Sequence, residues 1–149
     1  MGSEQTRARA WSDHVHEVLS DAGFKRGGAR ERVIALLAGE PCALTAGEIE
    51  AALNESGRSP GRASIYRVLD QLVEHGLAER VEVGDGQARF ERQQPGGEHH
   101  HHLVCEDCGR LIAFDDPGLE RAIAKLSRRL GMRISGHDIL LRGACGRCA

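Results

Sequence analysis

Four of the five cysteines in this 149-residue chain form two C-x-x-C pairs, Cys105-Glu-Asp-Cys108 and Cys145-Gly-Arg-Cys148. A two-residue gap lets one backbone turn aim both sulfurs at one ion. Two such knuckles close a tetrahedral zinc site that leaves no coordination position for a substrate. In a chain expected to carry no secretory leader, this pattern reads as metal ligation and not as disulfides. The fifth cysteine, Cys42, reads by default as a small buried apolar side chain.

A second cluster is the run His99-His100-His101-His102. On a strand, side chains alternate between faces. His99 and His101 then point one way, and His100 and His102 the other, so one strand offers two imidazole pairs. Each pair needs one or two more ligands to hold a divalent cation. Glu120 and His137 lie in the same half of the chain and can complete one pair. Glu79 and Glu91, on the preceding hairpin, can complete the other. A solvated polar tract with adventitious metal affinity is the plainer alternative.

The elements that must position these groups follow from hydrophobic spacing. Residues 1–12 are polar and expected to be frayed. Asp13 to Asp21 reads as a helix stopped at Gly23, and Arg30 to Ala38 as a second, closed by Gly39 and Pro41. Thr45 with Glu48 is a capping-box signature for a third helix burying Ile49, Ala52 and Leu53. Ser59-Pro60-Gly61 reads as a turn. A fourth helix, Ala63 to His75, puts Ile65, Val68, Leu69, Leu72 and Val73 on one face. Leu77–Val83 and Gln87–Glu91, flanking Gly84-Asp85-Gly86, read as a β-hairpin. Helices followed by a hairpin are the order of a winged helix-turn-helix. Gln93-Gln94-Pro95-Gly96-Gly97 reads as a linker. Beyond it, His99–Val104 and Arg110–Phe114 read as strands, Leu119–Leu130 as a helix and Met132–Leu141 as an extended segment. The expected class is α+β: residues 1–92 form one domain, a winged helix-turn-helix or a generic small α+β domain, 93–97 a linker and 98–149 a small α/β metal-binding domain.

Composition narrows the function. Net charge is −2, and aromatics are 3% of the chain (one Trp, one Tyr and three Phe), so a globally basic nucleic-acid binder is excluded. Local basic stretches remain. Arg58, Arg62 and Arg67 lie between Gly57 and Leu69 with no acid among them before Asp70, and Lys25, Arg26, Arg30 and Arg32 surround Glu31. Two small domains with few large side chains favour a metal staple or a dimer. Apolar runs fall far short of the roughly 20 residues of a membrane span. Neither H-E-x-x-H nor H-x-E with P-C-x-x-C occurs, so a zinc enzyme is a remote alternative, as is a metal-storage module.

Three motifs, Ala63-Ser64-Ile65-Tyr66-Arg67-Val68-Leu69, the stretch from His99 to Gly109, and Cys145-Gly146-Arg147-Cys148, resemble the ferric uptake regulator family of metal-dependent repressors, over roughly Gly23 to Cys148. The resemblance implies an N-terminal winged helix and a C-terminal dimerisation domain. It implies structural zinc at Cys105, Cys108, Cys145 and Cys148, and a site in the dimerisation domain at His99, His101, Glu120 and His137. It implies a regulatory hinge site at His100 and His102, with carboxylates at Glu91 and Glu79. Zinc or iron(II) is expected at the regulatory sites.

By the same resemblance the protein is a cytoplasmic homodimer that binds a palindromic operator in double-stranded DNA, with no membrane and no small-molecule substrate. Ser64, Tyr66 and Arg67 near the start of the fourth helix would read the major groove, and Lys25 would reach toward the minor groove. The family's usual Thr-x-Pro/Gln-Arg pattern is reduced here to Gly27-Gly28-Ala29-Arg30, of which Arg30 carries over, by resemblance, as a DNA-contacting residue. Many iron-sensing members have Asp where His101 stands; an all-imidazole pair suits zinc better. Zinc sensors often carry a cysteine just before the His run, which this chain lacks. Many members have a His near Cys42 or Ala43, for which Cys42 could substitute. Ala113 stands where peroxide-sensing members have an extra Asp. Zinc sensing is the expected function, with iron, manganese, nickel or peroxide response within the same family as the alternatives.

Overall fold

The computed structural model describes residues 2–55, 57, 60–95 and 99–148. The chain divides into two compact units, residues 1–98 and 99–149. The expected turn at Ser59, the cation Arg58 and the linker glycines Gly96 and Gly97 lie outside the described residues.

In the first unit α1 runs Gly2–Asp21, α2 Gly28–Gly39, α3 Ala46–Glu55 and α4 Arg62–Glu74. Trp11, Val15 and Leu19 are four residues apart on α1, so they share one face, and all three are buried. They pack with Val33, Ile34 and Leu37 of α2, Ile49 and Leu53 of α3, and Ile65, Leu69 and Leu72 of α4. The capping box forms as its residue types require. The Glu48 N–H donates to Thr45 Oγ1 at 3.1 Å, and the Thr45 N–H donates to a Glu48 carboxylate oxygen at 2.7 Å.

The expectation of a frayed N-terminus is corrected: α1 begins at Gly2. Long-range partners stabilise this polar stretch. The buried indole N–H of Trp11 donates to the Leu77 carbonyl at 2.9 Å. Arg92 donates to Glu4 at 2.7 Å and to the Ala38 carbonyl at 2.8 Å.

Three antiparallel strands close the unit: β1 (Leu44–Thr45), β2 (Ala78–Glu82) and β3 (Ala88–Arg92), in the order β1-β3-β2. The two-residue β1 was not anticipated; its only signal is a pairing with Phe90 and Arg89, far away in sequence. Helix α4 followed by the β2–β3 hairpin completes a winged helix-turn-helix. At the hairpin tip Asp85 accepts two hydrogen bonds from the buried Arg89 guanidinium, at 3.1 and 2.8 Å, and one from the Gln87 N–H at 3.0 Å. These bonds hold the Asp85 carboxyl down at about 2, Arg89 being the larger cause.

The second unit is a three-stranded sheet, β4 (His101–Cys105), β5 (Leu111–Phe114) and β6 (Leu140–Gly143), in the order β5-β4-β6, with α5 (Pro117–Leu130) between β5 and β6. Strand β4 pairs antiparallel with β5 and parallel with β6. It starts two residues later than expected, and only the end of the Met132–Leu141 stretch enters a strand. Asp116 caps α5 by accepting from the Leu119 N–H at 2.9 Å, and Gly131 ends it at φ 65°, in the left-handed region. No residue of α5 is buried, although Leu119, Ile123, Leu126 and Leu130 recur at helical spacing. Leu130 is 58% exposed, Met132 68% and Leu141 46%. No described helix is long and apolar enough to cross a membrane.

Candidate metal centres and nucleic-acid interface

The two cysteine knuckles come from opposite ends of the second unit. Cys105 ends β4, Cys108 follows in the turn, and Cys145 and Cys148 follow β6. The parallel pairing of β4 with β6, which sets Cys105 beside Gly143, brings the knuckles together. The four sulfurs lie within 4.8 Å of one another, and Cys108 Sγ is 3.8 Å from Cys145 Sγ. A tetrahedron with Zn–S bonds of about 2.3 Å has edges of about 3.8 Å, so the spacing fits zinc.

The titration of the thiols points the same way. The Cys145 N–H donates to Cys105 Sγ at 3.3 Å. With the Cys108 N–H it holds the Cys105 thiol down at about 6. The Cys145 thiol is also lowered, chiefly by the Arg147 N–H. Cys148 is pushed up to about 12, first by Cys145 and then by Cys108. Four sulfurs this close cannot all ionise against one another; a divalent cation is the group that lets them.

The second cluster is built around Glu120 in the first turn of α5. His101 Nε2 lies 2.8 Å from Glu120 Oε1 and His137 Nε2 lies 3.0 Å from Glu120 Oε2. His99 Nε2 lies 3.5 Å from Glu120 Oε1 and 3.1 Å from His137 Nε2. Around a tetrahedral ion with bonds of about 2.0–2.1 Å, neighbouring donors stand about 3.3 Å apart, so this donor set also fits a first-row divalent metal. His101 is buried against the ring of Phe114, its cross-strand neighbour on β5. Hydrogen bonding to His101, then to His137, keeps the Glu120 carboxyl down at about 2, which leaves it ionised and able to ligate.

The other two imidazoles, His100 and His102, pair with each other, their ring centroids 4.9 Å apart. The alternation of the four-histidine run thus persists although His99 and His100 precede the strand. In the first unit Glu79 and Glu91 are direct cross-strand partners, with Glu79 exposed and Glu91 buried. Opposed like charges are unfavourable unless something compensates them. Cys42, half-buried rather than fully buried, has its sulfur within 4.8 Å of a Glu91 carboxylate oxygen.

Ser64, Tyr66 and Arg67 occupy the first two turns of α4. Tyr66 is 43% exposed, and Arg67 donates to Ser64 Oγ at 3.1 Å. Arg62, beside them, donates to Glu50 at 2.6 Å, so part of its charge is compensated. Lys25 is exposed on the loop between α1 and α2. Arg30 differs from these: its guanidinium donates to the Lys25 carbonyl at 2.6 Å and to Gln71 Oε1 at 2.9 Å. Sequence reading did not single out Gln71 or Phe24, Arg30's neighbours; periodicity marks Gln71 only as a polar position between core residues.

The match to known proteins covers most of the chain. The model of the ferric uptake regulator family matches residues 21–142. A ferric uptake regulation protein of Legionella pneumophila is 37% identical over 131 residues, covering 87% of this chain and 95% of that protein. The crystal structure of the Vibrio cholerae ferric uptake regulator is 31% identical, with a TM-score of 0.74 over 87% of this chain and 98% of that one. A ferric uptake regulator from Pseudomonas aeruginosa, solved with manganese, is 30% identical, with a TM-score of 0.68 over 88% of this chain and 97% of that one.

Proposed function

Because the chain belongs to the ferric uptake regulator family of metal-responsive transcriptional regulators, which are not enzymes, we propose that it is a zinc-responsive repressor acting as a homodimer on a palindromic operator. The observation that carries the choice of metal is the convergence of three imidazoles, His99, His101 and His137, on one carboxylate, Glu120. Imidazole-rich sets of four suit zinc, whereas harder cations favour sites richer in oxygen. Iron(II) is the second reading, because the relatives named above are ferric regulators and Glu120 supplies a hard oxygen donor.

A divalent cation, when bound, supplies the charge that offsets Glu120 and the thiolates. The protein's residues supply the rest. Cys105, Cys108, Cys145 and Cys148 tie the end of the second unit to its central strand. Glu120 and the three imidazoles tie the start of α5 to the segments flanking β4 and β6. His100 and His102 offer a second imidazole pair, for which the family resemblance supplies Glu91 and Glu79, with Cys42 as a further donor. Metal regulates DNA binding only by its differential affinity for two shapes of the protein, and a hundredfold gain in operator affinity needs a coupling of about 2.7 kcal/mol.

Dimerisation would cover the apolar side chains that the second unit leaves exposed, Leu130, Met132 and Leu141 among them. Two copies of α4, one per half-site, would then present Tyr66 and Arg67 to the major groove. A cytoplasmic site of action follows from this role.

The test is a titration of the demetallated protein with zinc, iron(II), manganese and nickel, read by binding to a duplex that the metal-loaded protein selects from a random pool. Zinc should restore binding at the lowest free concentration. Activation by iron(II) where buffered zinc at cellular levels gives none would replace zinc with iron.

A further inference from the structure

Arg30 sits at the junction of three features. The first is the loop between α1 and α2, which carries the exposed cations Lys25 and Arg26 and has Gly23 and Gly27 at φ 86° and 122°, with Gly28, the first residue of α2, at 61°. Such glycines give a loop many conformations to lose on ordering, so it needs something to hold it. The usual device is missing here: α2 has Gly27 as its N-cap, with no side-chain cap hydrogen bond.

The second feature is α4. Gln71 lies four residues after Arg67, one turn along the same face of the helix that presents the DNA-reading residues. The third is Phe24, in the same loop. The Arg30 guanidinium lies 4.9 Å from its ring centroid. That ring stands perpendicular to His75, the C-cap of α4, at 5.5 Å between centroids, and His75 Nδ1 is 2.8 Å from the Gln71 carbonyl oxygen.

We propose that Arg30 is a positioning residue for DNA recognition: it joins the Lys25 loop to α4 through the Lys25 carbonyl, Gln71 and Phe24, so that loop and helix meet DNA as one surface. This rests on the DNA-binding reading above and departs from the direct DNA contact that resemblance assigns to Arg30. Two of the three nitrogens of its planar group are directed at acceptors within the protein, and the third, Nε, is buried. Its charge is turned inward at the point where a phosphate ligand would present it outward. Lysine cannot replace it, because a single ammonium on a flexible stem does not span two acceptors in a fixed fork.

The experiment is a double-mutant cycle in the metal-loaded full chain: Arg30→Ala, Gln71→Ala and the double variant, together with Arg30→Lys. Binding is measured against the wild-type-selected duplex over a range of salt. Losing a phosphate contact lowers the salt slope by about 1, while losing a positioning contact leaves it unchanged. The expected result is that Arg30→Ala and Gln71→Ala each weaken binding about three- to tenfold with the slope preserved, and that the double variant is no weaker than the worse single. Arg30→Lys should fail to restore affinity, and amide exchange in residues 22–27 should accelerate in both single variants without DNA.

A slope lowered by one unit in Arg30→Ala, with Gln71→Ala neutral and Arg30→Lys active, would make Arg30 a phosphate ligand and overturn the proposal. Failure of the wild-type protein to retain any duplex during selection removes the DNA-binding reading itself, and this proposal with it; that outcome is separate from the previous one because it appears before any variant is made.

Discussion

His99 and His137 are 38 residues apart in the chain, yet their Nε2 atoms stand 3.1 Å from each other. Two neutral imidazoles at that distance can share one proton and nothing more, whereas a cation would satisfy both lone pairs. The Glu120 carboxylate touches both rings as well as His101. This relationship makes the site testable residue by residue.

Replacing His137 with Ala, or Glu120 with Gln, removes one donor from the set of four. Changes even to supporting neighbours of metal ligands typically cost about 10–100-fold in affinity, so loss of a ligand should cost at least that. Competition against a chromophoric chelator should show one metal equivalent per chain weakened and another, held by the cysteines, unchanged. An unaltered stoichiometry and affinity would remove His137 and Glu120 from the ligand set.

The cysteine centre should act as a staple. Cys148→Ser, or prolonged treatment with a strong chelator, should unfold the second unit while the first keeps its helical core, because structural zinc energy is folding energy in so small a domain. Trp11, the chain's one tryptophan, is buried in the first unit and reports on that unit alone. Helicity should fall while its emission stays native. Zinc uptake must also displace the proton on Cys148, held up at about 12, so apparent affinity should rise with pH. A Cys148→Ser protein with unchanged zinc content and melting would end the staple account.

Acid should loosen the wing in a defined window. The Asp85 carboxyl sits at about 2, below its usual 3.8, because Arg89 and the Gln87 N–H bind its charged form. A depressed folded value stabilises the fold above the unfolded value and loses that effect as pH falls from about 4 toward 2. Asp85→Asn should therefore lower the Trp11-detected unfolding midpoint near neutral pH, with the gap to wild type closing through that window. A gap independent of pH points to lost packing instead of lost charge.

Arg67→Ala should weaken binding to the selected duplex by about 1–3 kcal/mol and relax the sequence preference at one position per half-site, as expected for a base-edge contact. Tyr66→Ala should weaken binding as well, with little change in thermal stability, because the ring is 43% exposed. Loss of stability equal to the loss of binding would return Tyr66 to a packing role.

Leu130→Glu or Met132→Glu places a charge on the apolar face of the second unit. If that face is the homodimer interface, sedimentation should show a shift from dimer to monomer at micromolar concentration, with operator binding lost in parallel. A protein that remains dimeric with either substitution would move the interface elsewhere.

Much of this protein was legible from residue spacing alone. The C-x-x-C pairs announce a metal donor set because a two-residue gap lets one turn aim two sulfurs at one ion. The alternation of His99 to His102 separates two imidazole pairs because β-strand side chains alternate. Thr45 with Glu48 announces α3, and the face from Ile65 to Leu72 announces α4, because caps and helical periodicity are local properties. Tertiary structure decided what depends on distant partners. Residues 2–12 are helical because Trp11 finds the Leu77 carbonyl and Glu4 finds Arg92. His137 reaches His99 because β6 pairs parallel to β4 in a single register, which also sets the cysteine knuckles side by side. Arg30 turns its charge inward because Gln71, 41 residues on, lies within its reach. Spacing along a chain encodes only interactions within a few residues, so these contacts, each closing a long loop, exist only once the chain has folded.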